Sequence, residues 1–243
     1  MKLLQLNAWG GRLEPQIGDL LKTENPDIVC LQEAISFRKD GSGLFITIEN
    51  IQENYDLPFM GFGPVFSFNY MKGTAQFGNC ILSRFPIKKT EVIFTHQEHK
   101  DNFMWQEDSS NMRNFVHAEV QINGRTCHII THHGFWILEH KNGNQETLKQ
   151  TKMIADYIGE LSGPTILTGD FNLVPQSPSL QQLNKLLTNL CITHKLKTTR
   201  TNLTYKTETC DYIFVNDEVN VDNFQALEKV VSDHKALSLE FNL

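Results

Sequence analysis

The sequence lacks an excess of basic residues. It contains 22 lysines and arginines against 28 aspartates and glutamates, which gives a formal net charge of −6 at pH 7. A surface with this charge repels polyanions as a whole, which excludes a protein that coats nucleic acid through a general basic surface. Any contact with nucleic acid must therefore be made by a local group of basic side chains.

Long hydrophobic runs and a regular cysteine framework are also missing. The chain begins MKLLQLNAWGG, in which Gln5 and Asn7 interrupt the apolar stretch too early for the core of a signal peptide, and no other run approaches the length of a membrane span. The five cysteines are odd in number and widely spaced, which is typical of free thiols in a reducing compartment. We therefore expect a cytoplasmic protein with no stable membrane association, and a monomer as its working state.

No repeat, low-complexity tract or linker divides the chain, so we expect one domain over residues 1–243. Short apolar segments alternate with helical patterns. Strands are predicted at residues 2–6, 27–31, 78–82, 91–95, 115–122, 126–131, 165–167, 212–215 and 236–241, and helices at 15–23, 145–161 and 178–190. Residues 60–71 are interpreted as a core strand and residues 96–112 as a long loop. Two packed sheets covered by helices on their outer faces would satisfy this pattern.

Polar residues stand at the ends of apolar strands in six places, where a rigid scaffold presents side chains at the surface. They are Asn7, Glu33, His132-His133, Asp170 with Asn172, Asp211 and Asp233-His234. Together they supply carboxylates, amides and imidazoles, which are the groups that a hard cation and a phosphate require. Taken singly, each has a plain structural interpretation as a turn residue, a solvated charge, a capping group or a hydrogen-bonded structural histidine.

The segments LQLNAW, IVCLQE, FGNCILSRFPI, ITHHG, LTGDFNLVP, CDYIFV and VSDH follow one another along the chain. In these motifs the sequence resembles the endonuclease/exonuclease/phosphatase superfamily of deoxyribonuclease I-like, metal-dependent phosphoesterases, over residues 3–234. The resemblance implies an α/β fold, namely a four-layered α/β sandwich with two central, mostly antiparallel β-sheets flanked by helices. It also implies an active site at one end of the two sheets.

The resemblance further implies a magnesium site, with Mn²⁺ as a substitute ion. Glu33 would be the principal metal ligand, assisted by Asn7, and Asp233 would support the metal or a second ion. Magnesium prefers oxygen ligands and keeps several waters, so one firm carboxylate is enough to place it.

The catalytic residues implied by the resemblance surround the phosphate. Asp170 would orient and deprotonate the attacking water, and Asn172 would hold a phosphate oxygen or the nucleophile. His234 would contact the phosphate, with Asp211 as its carboxylate partner.

Four further positions are implied on the central strands. In the segment THHG the family's histidine falls on His133, and His132 is the alternative by one residue. Asn79 and Arg113 stand where the family often has polar residues that face the phosphate. We therefore expect Asn79, Arg113 and His132 to bind the substrate.

Three functions are consistent with these residues. The first is a magnesium-dependent phosphoesterase that hydrolyses phosphodiester bonds by in-line attack of an activated water, acting on nucleic acid as a nuclease or end-processing phosphodiesterase. The second is a phosphatase or phosphodiesterase of a small phosphorylated metabolite or lipid headgroup, which the negative charge favours. The third is a non-catalytic binding module, against which the intact motif set argues. For Trp9, Trp105 and Trp136, core packing is the more frequent role and stacking on a base is the alternative.

Overall fold

The computed structural model describes residues 1–37 and 45–243. In this part of the chain there are twelve strands: β1 (Lys2–Asn7), β2 (Ile28–Ser36), β3 (Phe59–Tyr70), β4 (Gly73–Ser83), β5 (Ile87–His96), β6 (Arg113–Ile122), β7 (Arg125–His133), β8 (Thr165–Asp170), β9 (Thr188–Asn189), β10 (Asp211–Val215), β11 (Asn220–Ala226) and β12 (Leu237–Asn242). Each predicted strand overlaps one of these, and the loop between β5 and β6 agrees with the predicted one. β11 was not predicted because only Phe224 in it is buried, so it shows no apolar alternation.

Five α-helices complete the described part of the chain: α1 (Glu14–Glu24), α2 (Ile48–Asn54), α3 (Gln145–Gly159), α4 (Gln181–Leu186) and α5 (Leu190–Thr193). α1 and α3 confirm two predicted helices. The predicted helix over residues 178–190 is confirmed as far as Leu186 and wrong beyond it, because its apolar spacing continues past a break. Leu187 is extended, with φ −134° and ψ 149°, and Thr188 and Asn189 pair with β10. The Asn189 side chain then accepts the Ile192 N–H and caps α5.

The strands form two six-stranded sheets. The first sheet has the order β11-β12-β1-β2-β4-β3, and the second has the order β5-β6-β7-β8-β10-β9. Each sheet contains one parallel pair at its centre, β1 with β2 and β7 with β8, and the other neighbours are antiparallel. The predicted four-layered α/β sandwich with two mostly antiparallel sheets is confirmed.

Apolar side chains join the layers. Leu3 and Ile28 of the first sheet belong to the same buried cluster as Ile129 and Ile166 of the second. A second cluster lies between the first sheet and α1 and α2, where Leu4, Val29, Ile17, Leu20 and Ile51 pack together. Each fully buried side chain of this kind contributes roughly 1.5 to 3 kcal/mol, so the strands that carry the site are held rigidly.

The two parallel pairs determine where the polar strand ends meet. α1 connects β1 to β2, and α3 lies between β7 and β8, so both pairs are β-α-β units. Parallel strands place their carboxyl ends at the same edge of a sheet. The sheets pack face to face, which brings the carboxyl ends of all four strands to one end of the sandwich.

Two sequence expectations concern the environment of the protein. All five cysteines are buried and free, which agrees with the prediction of unpaired thiols. Among residues 1–37 and 45–243, no helix combines the length and apolar character needed to cross a lipid bilayer.

Candidate active site

Four polar side chains stand at the carboxyl ends of the parallel strands. Asn7 ends β1, His133 ends β7 and Asp170 ends β8. Glu33 lies in β2 at a shift of register against β4, where its φ of 54° turns the side chain out of the strand alternation. The irregularity therefore aims a carboxylate at the end of the sandwich.

A glycine next to Asp170 allows the close approach of β8 to β7. Gly169 has a φ of 149°, and a Cβ at this position would lie 2.0 Å from the carbonyl oxygen of His132. Asp170 also pairs in register with Asp211 of β10. The Gly-Asp dipeptide therefore places Asp170 between His133 and Asp211.

Asp211, His234 and Asp170 form a buried chain. Nδ1 of His234 lies 2.9 Å from Oδ2 of Asp211, and Nε2 lies 3.6 Å from Oδ2 of Asp170. Asp211 is fully buried and accepts hydrogen bonds from Oγ1 of Thr199 at 2.6 Å and Nε2 of Gln5 at 3.3 Å. Because these donors fix the Asp211 carboxylate, His234 donates through Nδ1 and turns Nε2 toward Asp170.

These three side chains shift one another's pKa. Burial alone would raise the pKa of Asp170, but His234, His133 and Arg200 outweigh it and hold the pKa below its usual value. Burial alone would lower the pKa of His234, but Asp211 and Asp170 raise it. Opposite charges close together favour the charged form of each partner. Asp170 is therefore an anion at neutral pH.

The amide of Asn7 bridges the carboxylates of Glu33 and Asp170. Its Nδ2 donates to Oε1 of Glu33 at 3.2 Å and to Oδ2 of Asp170 at 3.1 Å. Nε2 of His133 lies 4.0 Å and 3.8 Å from the same two oxygens. Burial raises the pKa of Glu33, and the nearby charges of Asp170 and Asp233 add to the rise. This corner of the site therefore holds negative charge that a cation would neutralise.

The oxygen atoms around Glu33 fit a hard divalent cation such as magnesium. The Glu33 side chain keeps 26% of its exposure, so it can reach a cation from the solvent. Asp170, Asp211 and His234 also offer ligand atoms within 4.8 Å of one another. A cation among these three would break the hydrogen bonds that Asp211 makes to His234. Glu33 is the better placed carboxylate, and beside it Asn7 turns its amide nitrogen toward Glu33 and Asp170 while its Oδ1 accepts from the Trp9 N–H.

Asn172 lies beside Asp170 in a left-handed conformation, with φ 55°. Its N–H donates to Oδ1 of Asp170 at 2.9 Å, and its Oδ1 accepts from Nζ of Lys141 at 2.9 Å. Lys141 is buried, and burial lowers its pKa to about 8. The sequence analysis missed Lys141 because it lies in the polar segment EHKNGN, which has the composition of a solvated loop.

Arg200 is a second residue that the sequence analysis did not assign to the site. Its buried guanidinium contacts Nε2 of His234 and lies 3.5 Å from Oδ2 of Asp233. Its Nε has no hydrogen-bond partner among the described residues. It stands in the polar segment TTRTN, outside every predicted strand, so its only sequence signal was its charge. A buried arginine in this position can donate to a phosphate oxygen.

Arg113 lines the cavity, but much of its guanidinium is engaged by the backbone. Nε donates to the carbonyl of Gly134 at 2.6 Å, and Nη1 donates to the carbonyls of Ser110 and Met112. Burial lowers its pKa to about 10. Arg113 therefore fixes the end of the long loop as well as adding positive charge to the cavity.

Asn79 and His132 are placed differently from the prediction. Nδ2 of Asn79 donates to the carbonyl and the side-chain oxygen of Asn114, and the residue is 1% exposed. Nδ1 of His132 lies 3.0 Å from the same carbonyl, and its ring packs edge-on against Phe171. These groups are used inside the protein, so Asn79 and His132 are not placed to contact a substrate. Strand alternation puts His133 on the cavity side instead.

A cavity of about 450 Å³ opens above the carboxylates. The predicted site residues that line it are Glu33, Arg113, His133, Asp170, Asn172, Asp233 and His234. Asn7 and Asp211 support them through the hydrogen bonds described above. The three tryptophans also line this cavity, and Trp105 is 57% exposed, so the core-packing interpretation was wrong for Trp105.

Comparison with known proteins identifies relatives over most of the chain. The residue pattern of the Endonuclease/Exonuclease/phosphatase family matches residues 4–234. YbhP of Escherichia coli (strain K12) is 25% identical over 168 residues, which cover 65% of this chain and 58% of YbhP. The chain therefore matches less than two thirds of the length of that relative.

Solved structures of the same family share the fold. A structure of D. rerio TDP2 complexed with single-strand DNA product superposes with a TM-score of 0.71 at 17% identity, covering 100% of this chain and 99% of that one. The mannosyl-6-phosphatase Bt3783 of Bacteroides thetaiotaomicron VPI-5482 has a TM-score of 0.68 at 17% identity, with 100% of both chains covered. At this identity the likeness shows the fold alone.

Proposed function

The chain belongs to the Endonuclease/Exonuclease/phosphatase family, and we propose that it is a magnesium-dependent phosphoesterase that hydrolyses phosphodiester bonds by in-line attack of an activated water. The family consists of hydrolases that act on phosphoesters. The observation that carries the proposal is the convergence of Glu33, anionic Asp170 and the Asp211–His234 pair on one cavity. Burying such charges is costly, and a non-catalytic binding module has no need of them.

Asp170 positions the attacking water. Its carboxylate is held ionised by its cationic neighbours. It therefore accepts a hydrogen bond from the water, which directs a lone pair of the water oxygen toward the phosphorus. As the water attacks, its proton moves toward the Asp170 oxygen that faces His234. The N–H of Asn172 fixes the other oxygen, which keeps the carboxylate from rotating.

Hydrogen-bond donors stabilise the charge that develops on the phosphoryl oxygens. His234 and Arg200 meet on one side of Asp170, and His133 lies on the side of Glu33. Such fixed donors need no reorganisation during the reaction, which is why they stabilise the transition state more than water does. Asp211 keeps His234 oriented for this role and raises its pKa against the effect of burial.

Glu33, with Asn7 and Asp233, would hold the magnesium ion, which would supply electrostatic stabilisation of the departing oxygen. Because burial raises the pKa of Glu33, protons compete with a cation for its carboxylate at a higher pH than for an ordinary glutamate. Magnesium affinity should therefore fall as the pH is lowered. Mn²⁺ has the same preference for oxygen ligands and should replace it.

The first candidate substrate is nucleic acid, at a single-stranded or end position that can enter a cavity. Support comes from the shared fold of TDP2, which was solved with a single-strand DNA product. The second candidate is a small phosphorylated metabolite or lipid headgroup. The net charge of −6 favours it, since a polyanion would be repelled, and the mannosyl-6-phosphatase Bt3783 has the same fold.

The mechanism is tested with bis-p-nitrophenyl phosphate in the presence of magnesium, manganese or excess chelator. We expect turnover that requires the metal and that falls about 10³-fold in Asp170→Asn, because general-base groups typically contribute 10² to 10⁴. Asp156→Asn, an exposed aspartate on α3, is the matched control and should keep full activity. Full activity of Asp170→Asn, or of the wild type in chelator, would refute the mechanism.

The substrate class is tested by measuring how the rate of cleavage depends on salt concentration. Cleavage of oligonucleotides should weaken steeply as salt rises, because phosphate contacts release counterions. Activity confined to small phosphoesters, with little salt dependence, would select the second candidate.

A further inference from the structure

One part of the cavity takes no part in the chemistry described above. It is lined by an aliphatic side chain and six aromatic ones, which we call the aromatic arm: Ile35, Phe45, Phe66, Phe68, Tyr70, Phe77 and Trp105. The arm begins next to the catalytic residues, because Ile35 follows Glu33 by two positions in β2. A substrate that places its phosphate at Glu33 therefore meets the arm with one of its ester substituents.

Three strands of the first sheet build the floor of the arm. Ile35 of β2 pairs with Phe77 of β4, and Phe77 pairs with Phe66 of β3. The long loop forms the opposite wall and is fastened to β3 by backbone hydrogen bonds, from Ser67 N to Lys100 O and from Phe103 N to Ser67 O. The side chains of the arm are thus carried by backbone that is hydrogen-bonded both in the sheet and in the loop.

The rings of the arm are held in a fixed geometry. Phe66 stacks on Phe77 with centroids 4.8 Å apart and on Phe103 with centroids 4.0 Å apart. Trp105 stands at 89° to Phe66, 89° to Phe77 and 87° to Phe103. Edge contacts of this kind position the indole while leaving part of it uncovered.

A satellite core that fastens the loop is the plain alternative explanation for these rings. Phe66 and Phe103 fit it, since both are buried. Trp105 does not, because 57% of its surface remains exposed while it faces a concave cavity that also contains the catalytic groups. Apolar surface inside a concave site is the usual sign of a bound ligand group.

We propose that the phosphoester substrate carries a flat aromatic substituent, such as a nucleobase or an aryl ring, that lies in the aromatic arm while its phosphate lies at Glu33 and His234. This rests on the proposed phosphoesterase function. A paired base is stacked inside a duplex and cannot enter the arm, so a nucleic-acid substrate must offer an unpaired base.

The size of the cavity favours a compact substituent over a long alkyl chain. Its volume of about 450 Å³ must hold the phosphate as well as the substituent.

The proposal is tested with three phosphonates as ligands of the wild type in magnesium: phenylphosphonate, methylphosphonate and octylphosphonate. Dissociation constants come from calorimetry, and inhibition constants come from competition with bis-p-nitrophenyl phosphate. We expect phenylphosphonate to bind about tenfold more tightly than methylphosphonate, as expected for stacking on aromatic side chains, and more tightly than octylphosphonate.

Variants show whether the preference comes from the arm. Trp105→Ala should lose most of the phenyl preference, and Trp105→Phe should retain part of it, while both keep the melting temperature of the wild type. Met153→Ala, a partly exposed apolar residue on α3, is the matched control and should keep the preference.

Each remaining outcome counts for or against the arm. Equal binding of the phenyl and methyl ligands, a phenyl preference that survives Trp105→Ala, or tighter binding of the octyl ligand would overturn the proposal, the last in favour of a lipid chain. Each of these can occur in an active enzyme, so it leaves the phosphoesterase function intact. An inactive wild type would overturn the proposed function, and calorimetry would still decide whether the arm binds a ring.

Discussion

His132 and His133 are neighbours in the sequence, but they lie in two different regions of the molecule. His133 faces the cavity and lies within 4.0 Å of Glu33 and Asp170. His132 faces the opposite side of β7, where its partners are a backbone carbonyl and the ring of Phe171. Burial is the first cause that lowers the pKa of both. Burial therefore does not distinguish a candidate catalytic histidine from a histidine that packs in the core. Carboxylate neighbours and access to the cavity do.

The largest difference between the two regions should come from exchanging the two histidines that mark them. His133→Asn should lower kcat about 100-fold, because it removes a donor aimed at the phosphoryl group while leaving Asp170 ionised. His132→Phe should keep kcat within about threefold, since the ring it replaces only packs and bonds a carbonyl. Steady-state kinetics on bis-p-nitrophenyl phosphate measure both. A larger loss in His132→Phe than in His133→Asn would reverse the comparison.

A smaller effect is expected at Lys141, which lies between the two regions. It does not line the cavity in the described structure, but its Nζ donates to Asn172, which does. Lys141→Met should lower kcat about tenfold with little change in KM, because Asn172 loses the charge-assisted bond that fixes its side chain. Lys141→Arg should recover part of the loss. A change in melting temperature without any change in kcat would place Lys141 in the packing region.

The smallest effect concerns the stability of the packing region. Burial lowers the pKa of His132 to about 4, below the value of about 6.5 for a free histidine. Between pH 4 and pH 6.5 the unfolded chain therefore binds a proton at His132 that the folded chain does not. The contribution of His132 to the free energy of unfolding is complete above pH 6.5 and is lost as the pH falls toward 4. We expect a loss on the order of 1 to 3 kcal/mol across that window.

The measurement is the free energy of unfolding in urea at pH 7 and pH 4.5 for the wild type and His132→Phe. The acid-induced loss should be smaller in the variant, which has no proton to gain at this position. Equal losses would mean that other groups carry the acid sensitivity.

The strands and most of the residues that line the candidate site could be predicted because each signal is local. A buried strand shows as a short apolar run, and the residue that ends it is fixed by the run itself, as for Asp170 after ILTG and His234 before the last strand. The family motifs added the roles of these residues. The predicted helix over residues 178–190 was too long because leucine spacing alone does not show that the chain becomes extended at Leu187.

The remaining site residues could not be predicted because their role depends on contacts between distant segments. Arg200 and Lys141 come from polar loops and are buried by other parts of the chain. Gln32, within the motif LQE, donates to Oγ1 of Thr131 in the other sheet at 2.7 Å, a contact that no local pattern contains. The aromatic arm combines side chains from β2, β3, β4 and the long loop. In the sequence each of its rings has only the pattern of an ordinary strand or loop residue.

The pairing of β1 with β12 has a consequence for the synthesis of the protein on the ribosome. β1 is synthesised long before β12, and β1 needs β12 on one side and β2 on the other. A growing chain therefore carries an exposed edge on β1 until β12 has left the exit tunnel. We expect a chain stalled before β12 to be prone to aggregate.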